Sequence, residues 1–186
     1  MEHILALLTP ENALVMRVAL ETGLRVGDVL ALRPPVKAQF WITEQKTGKR
    51  RRVNLRRERV EQLNRQSGRF WVFEGRTDPE KHRTRQAVWR DVTRAARAFR
   101  LPVNVTPHSA RKRYAVEKLR QNRGKLAAVQ KAMNHSDQSV TMLYAMADSL
   151  YNAKYEQGPD GRIRRRGRSK KAVERRENAR ERESRD

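Results

Sequence analysis

Along most of this chain the apolar side chains recur at helical spacing, and in one stretch they alternate. Leu14, Val15, Val18 and Ala19 share a helical face. Ahead of them Thr9-Pro10-Glu11 supplies a capping hydroxyl, a proline at the first helical position and an acid near the positive end of the helix. Gly23 closes that helix. A short second helix is predicted over 26–32, stopped by Pro34-Pro35. The alternating stretch follows: Phe40, Trp41 and Ile42 lead into Lys46-Thr47-Gly48-Lys49, and Val53 and Leu55 resume the pattern. That is a hairpin with a glycine turn.

The helical period returns over 57–66, and the apolar run Phe70-Trp71-Val72-Phe73 reads as a third short strand. A helix over 84–99 places Val88, Val92, Ala95, Ala96 and Phe99 on its buried side and ends before Pro102. Thr106-Pro107 opens another, running to about Gln121, and a further helix spans 124–133. Ser136-Asp137 caps one that continues through Tyr144, and a last helix covers about 148–157 before Gly158-Pro159-Asp160-Gly161. The expected fold is mainly α with a small antiparallel β-sheet, an α+β arrangement. It occupies 1–160 as one domain, with 161–186 as a basic, disordered tail.

Charge changes the picture more than any motif. The chain carries 43 Lys and Arg against 21 Asp and Glu, a formal net charge of +22. Residues 161–186 hold twelve of those cations and five acids, so +15 remains on residues 1–160 and the folded part is itself basic. Such an excess repels itself unless a polyanion neutralises it, and double-stranded DNA is the expected partner. A membrane partner is not expected, because no large apolar residues flank the cations and no run approaches spanning length. There is no cysteine, which excludes disulfides and thiol chemistry. No leader is visible at the start, so the cytoplasm, in association with the nucleoid, is the expected location.

Three local patterns carry chemistry. In Thr22-Gly23-Leu24-Arg25-Val26-Gly27-Asp28, Arg25 stands just past a glycine turn at a helix start, and Asp28 follows one turn later. Asp28 could brace either the Arg25 guanidinium or the turn's backbone. In Thr106-Pro107-His108-Ser109-Ala110-Arg111, a His and an Arg three apart share a face near the anion-attracting end of a helix. In the third, Asn134-His135-Ser136-Asp137 precedes Tyr144. Each alone fits an ordinary solvated cation, a capped helix or a packed tyrosine.

Taken together and in order, TGLRVGDVLAL, QKTGKRRRVNL, TPHSARKRYAV and VQKAMNHSDQSVTMLYA resemble the successive signature boxes of the tyrosine recombinase (phage integrase) family, catalytic domain, over roughly residues 10–150. The resemblance implies a site-specific recombinase or integrase that cuts and rejoins DNA through a 3′-phosphotyrosine intermediate, serving a mobile element. Arg25 and Arg111 would grip the scissile phosphate, and Lys46, with Lys49 as the other reading, would protonate the leaving 5′ oxygen. His108 would be the acid/base partner, His135 a second hydrogen bonder and Tyr144 the nucleophile. Lys49, Arg50, Arg51 and Lys112, with Arg162, Arg164, Arg165 and Arg166 in the tail, are the expected DNA contacts. Other protomers on the DNA are implied as partners. No metal or small-molecule cofactor is implied, since the phosphotyrosine bond stores the energy for rejoining.

These residue types suit the reaction on chemical grounds alone. A phosphodiester is anionic and resists a nucleophile until its nonbridging oxygens are neutralised, which a planar guanidinium does through two donors at once. Departures from the family pattern are Asn134 where a glycine is usual, the residues around the HxxR box, and the lack of an N-terminal core-binding domain ahead of the catalytic domain. Two further readings keep the scaffold: a non-catalytic DNA-binding regulator, and a strand-relaxing enzyme like the type IB topoisomerases.

Overall fold

A computed structural model describes residues 1–100, 104–123 and 125–133, together with the backbone of 155–157 and 163–165. The chain divides into two compact units, Met1–Ala145 and Met146–Asp186.

In the first unit the elements run α1 (Glu2–Ala6), α2 (Pro10–Thr22), α3 (Val26–Leu30), β1 (Gln39–Thr43), β2 (Arg50–Asn54), α4 (Arg57–Gln66), α5 (Arg85–Ala98), α6 (His108–Gln121) and α7 (Leu126–Met133). Helix α2 begins and ends where the local signals place it, with Pro10 in its first turn and Gly23 in the left-handed region at φ 69°, but the Thr9 hydroxyl does not cap it and donates instead to Asp91 Oδ2 at 3.2 Å. Its face Leu14, Val15, Val18 and Ala19 is buried in a core shared with Val29, Leu30, Val53, Leu63, Val88 and Val92. Each of the valine and leucine side chains, fully buried, contributes about 1.5–3 kcal/mol. Asp91 of α5 ties this core to the start of α2. Its Oδ2 accepts from the Thr9 amide at 2.9 Å and Asn12 Nδ2 at 2.8 Å, and its Oδ1 from Arg94 at 2.6 Å. Burial raises the Asp91 pKa, but these bonds more than offset it and hold the carboxyl below its ordinary value.

Strands β1 and β2 pair antiparallel, with Phe40 opposite Val53, Trp41 opposite Arg52 and Ile42 opposite Arg51. The pleat turns Phe40, Ile42, Arg51 and Val53 inward and leaves Gln39, Trp41, Arg50 and Arg52 in solvent. The turn between them closes with Gly48 donating to the Glu44 carbonyl at 2.8 Å, and Gly48 takes φ 65° as the pattern requires. Helix α5 is capped by Thr84 Oγ1, which accepts from the Ala87 amide.

Three expectations need correction here. Residues 70–73 form no strand: Val72 and Phe73 are buried in a loop, where Val72 donates to the Leu32 carbonyl at 3.0 Å and Phe73 accepts from the Arg83 amide at 2.7 Å. An apolar run this short is buried as readily in a loop as in a sheet. Phe99, expected in the core, is exposed at the C-cap of α5, with its ring centroid 6.0 Å from that of His3. The opening residues fold as α1, with Ile4 and Leu5 buried. In the second unit, Tyr155–Gln157 is a strand (β3) and not the end of a helix, paired antiparallel with Ile163–Arg165 (β4). The expected breaker Pro102 and the helices through Tyr144 and from 148 to 154 lie outside the described residues, as does the tail apart from β4.

Gly23 is held by more than its dihedral angle. A Cβ there would stand 2.4 Å from Tyr114 Cδ1 on α6. Gly23→Ala is therefore expected to lower unfolding stability by about 2–4 kcal/mol, combining left-handed strain with overpacking. The urea midpoint measures this, and Tyr114→Ala in the same chain should recover the packing part and leave the strain.

Candidate active site

Arg25 occupies the N-cap of α3, in extended backbone immediately after the Gly23 turn. Arg111 comes from the first turns of α6, some 86 positions later in the chain. Their guanidiniums converge on one carboxylate. Arg25 Nη1 donates to Glu44 Oε2, and Arg111 Nη1 lies 3.9 Å from Glu44 Oε1. Arg51 Nε approaches the same Oε1 at 3.6 Å, and Thr47 Oγ1 donates to Oε2 at 3.1 Å. Glu44 is wholly buried, while side-chain exposure is 2% for Arg111, 10% for Arg51 and 24% for Arg25. Arg25 is thus the member of the cluster that faces solvent.

Arg51 and Arg111 form a double clamp between two helix ends. Arg51 donates to the carbonyls of Thr22, at 2.5 Å, and Ala132; Arg111 donates to the next carbonyls along, Gly23 at 2.5 Å and Met133 at 2.8 Å. The carbonyls of Thr22 and Gly23 close α2 at the negative end of its dipole, and those of Ala132 and Met133 belong to the last residues of α7. Sequence reasoning assigns Arg51 to DNA contact, yet its side chain turns inward. The signal was available, because Arg51 shares the parity of Val53 on β2.

Asp28 acts on Arg25 through its charge and spends its hydrogen bond on the hairpin. Its Oδ1 accepts from the Gln45 amide at 2.9 Å, which pins the hairpin beside the start of α3. Burial raises the Asp28 pKa against the pull of that hydrogen bond. The pinned turn carries Lys46 in solvent, next to the cluster. His108, at the start of α6, keeps solvent contact. Partial burial, followed by the positive charges of Lys112, Arg111, Arg25 and Lys46, lowers its pKa below the ordinary histidine value. The ring is therefore neutral at neutral pH and able to accept a proton.

Of the six expected catalytic positions, Arg25 and Arg111 thus meet at one buried carboxylate, and their charges and that of Lys46 act on His108. His135 and Tyr144 lie outside the described residues, as do Arg162 and Arg166. Of the expected DNA contacts, Arg50 is exposed, with its guanidinium 5.1 Å over the Trp41 ring; Lys112 is exposed and Lys49 half-buried. Arg164 and Arg165 belong to β4. Glu44 is the residue that sequence reasoning missed. An acid beside a run of cations reads as a solvated partner, and only the meeting of three distant arginines shows it to be buried. Among the described residues, no group of three His, Asp or Glu could hold a metal ion, and no helix is long and apolar enough to cross a membrane.

The profile of the phage integrase family matches residues 1–150. Comparison with curated protein sequences gives no match. Among solved structures, the chain is similar to the XerH site-specific recombinase bound to palindromic difH substrate in a post-cleavage complex. Identity there is 20%, coverage 80% of this chain and 48% of that one, and the TM-score 0.62. A lambda integrase dimer bound to a COC′ core site gives 20% identity, 74% and 42% coverage and a TM-score of 0.59. The Tn1549 transposon integrase in complex with circular intermediate DNA gives 15%, 80% and 62%, and 0.61. The chain spans about half the length of these proteins, and likeness at such identities shows the fold.

Proposed function

The chain belongs to the phage integrase family, and on that premise we propose that it is the catalytic part of a site-specific recombinase acting on double-stranded DNA. The observation that carries the reading is the convergence of Arg25 and Arg111, from opposite ends of the first unit's sequence, on a single anionic group. The Glu44 carboxylate marks a place where a planar anion meets two guanidiniums, which is what a scissile phosphodiester needs.

In the proposed reaction the Tyr144 phenol attacks the scissile phosphorus. A new O–P bond forms to tyrosine, and the bond to the 5′ oxygen breaks. Arg25 and Arg111 neutralise the nonbridging oxygens as charge builds on the five-coordinate phosphorus. Neutral His108 takes the phenolic proton, and Lys46, on its pinned turn, delivers one to the departing 5′ oxygen. His135 is a second hydrogen bonder to the phosphate. A 5′ hydroxyl from a partner strand then attacks the phosphotyrosine, and the protons return. Other protomers supply the partner strands, and the work is done on DNA in the cytoplasm.

The test is a duplex nicked so that the cleaved end diffuses away. The protein should accumulate on it as an adduct that survives denaturing detergent. If no adduct forms on any duplex while DNA still binds, the chain is a non-catalytic DNA-binding regulator. Arg25→Ala checks the phosphate contact separately. Removing Arg25 takes one charge-assisted hydrogen bond from the buried Glu44 and leaves two guanidiniums against Glu44 and Asp28, so the fold should lose about 1.5–3 kcal/mol. Adduct formation should fall by about 10²–10³-fold, the usual cost of one oriented charge-stabilising donor. The unfolding midpoint and the single-turnover rate measure the two effects.

A further inference from the structure

The buried centre of the site holds three guanidiniums, of Arg25, Arg51 and Arg111, against the carboxylates of Glu44 and Asp28. A fully buried glutamate is costly unless several cations surround it, so its presence calls for a reason. We propose that Glu44 is a positioning residue for the arginine pair: it holds the guanidiniums of Arg25 and Arg111 side by side and preorganised, with Arg51 as its permanent counter-ion. The proposal rests on the reading that Arg25 and Arg111 bind the scissile phosphate.

Three features of the cluster carry the proposal. Without a carboxylate between them the cations would repel one another, and Arg25, on the solvent side, would swing away from the clamped Arg111. Glu44 bonds Arg25 through Oε2, while Oε1, which makes no hydrogen bond, faces Arg51 and Arg111 through their charges. Division of labour comes from the other donors. Both terminal nitrogens of Arg51 are committed to the carbonyls of Thr22 and Ala132, which fixes Arg51 to the fold. Arg25 makes its contact from the solvent side. Finally, the cluster carries one positive charge more than negative, which a phosphodiester, with a single negative charge, balances. Arg51 has a second consequence. Together with Arg111 it fixes the carbonyls of Ala132 and Met133, the last two residues of α7.

The test uses the full chain on the nicked duplex, comparing wild type with Glu44→Gln, Glu44→Asp and Arg51→Lys. Two quantities are read: affinity for intact duplex, and the single-turnover adduct rate at saturating DNA. Glu44→Gln should slow the rate by about 100-fold while binding holds or tightens, because a negative charge beside the phosphate is gone. Glu44→Asp should recover part of the rate. If Glu44→Gln does not fold, Arg51→Lys, which keeps the charge but loses the fork, should slow the rate without weakening binding. A wild-type rate in these variants overturns the proposal, as does a loss of affinity that matches the loss of rate. If the wild type itself makes no adduct, the recombinase reading falls, and positioning is read on the arginine side-chain NMR signals. Guanidinium rotation of Arg25, which Glu44 bonds directly, should be slow in wild type and fast in Glu44→Gln; equal rotation overturns the proposal.

Discussion

With Tyr144 replaced by phenylalanine, the protein is expected to bind duplex DNA as before and to form no covalent product. Binding rests on counterion release by a surface that carries +15 on residues 1–160, and loss of one hydroxyl leaves that untouched. The covalent step has no substitute. Its rate should fall by a factor on the order of 10⁴ or more, as when an enzyme of this kind loses its nucleophile. The nearest rival among the described residues is Tyr114, on the same helix as His108 and Arg111. Its ring lies close against Gly23, and burial raises its phenol's pKa despite the charges of Arg51 and Arg111. A phenol held protonated and packed on backbone is a poor nucleophile. Tyr114→Phe should therefore keep the adduct. Denaturing gels of the two variants decide the matter: an adduct surviving in Tyr144→Phe and missing in Tyr114→Phe would move the nucleophile to position 114.

Much of the fold could be read from the sequence wherever its cause is local. The Pro10 start and Gly23 stop of α2, the Thr84 cap of α5 and the glycine turn at Gly48 each depend on a few adjacent residues. Where the cause is distant, reading fails. Phe70-Trp71-Val72-Phe73 has strand composition, but its fate is decided by Leu32 and Arg83, which occupy its backbone groups before any strand can. Trp71 is likewise held by Arg33, 3.2 Å over its ring, and by a bond from its indole nitrogen to the Glu80 carbonyl. The site divides the same way. Arg25, Lys46, His108 and Arg111 could be picked out because motif order marks them. The partner that gathers the arginines, Glu44, could not, since a carboxylate's burial is decided by residues 19 positions before it, 7 after it and 67 after it. Arg51 shows the intermediate case. Strand parity points it inward, but its sequence neighbours, all cations, make an outward role the natural first reading.

Arg111→Met is the substitution expected to damage both fold and chemistry, and it separates the paired arginines by what they do. The Arg111 guanidinium is almost wholly buried and bonds the carbonyls of Gly23 and Met133. Methionine fills part of the volume and bonds neither. Two buried helix-end acceptors are then left unpaired, at about 1–3 kcal/mol each, and Glu44 loses one of three cations, so a total loss of about 3–5 kcal/mol is expected. Arg51 still joins the neighbouring carbonyls of Thr22 and Ala132, which is why the chain should fold at low temperature and not collapse altogether. Adduct formation should drop below detection even there, because the nonbridging oxygens lose their second guanidinium and α7 loses one of its two ties. Arg111→Lys tests the geometry apart from the charge. An ammonium keeps the attraction to Glu44 but cannot span two carbonyls as a planar fork does, so it should recover part of the stability and little of the rate. Urea unfolding at low temperature, read beside the single-turnover assay, makes the comparison. An Arg111→Met midpoint equal to wild type would mean that the carbonyl clamp does not hold the two helix ends. An Arg111→Lys rate near wild type would mean that charge alone is enough at this position.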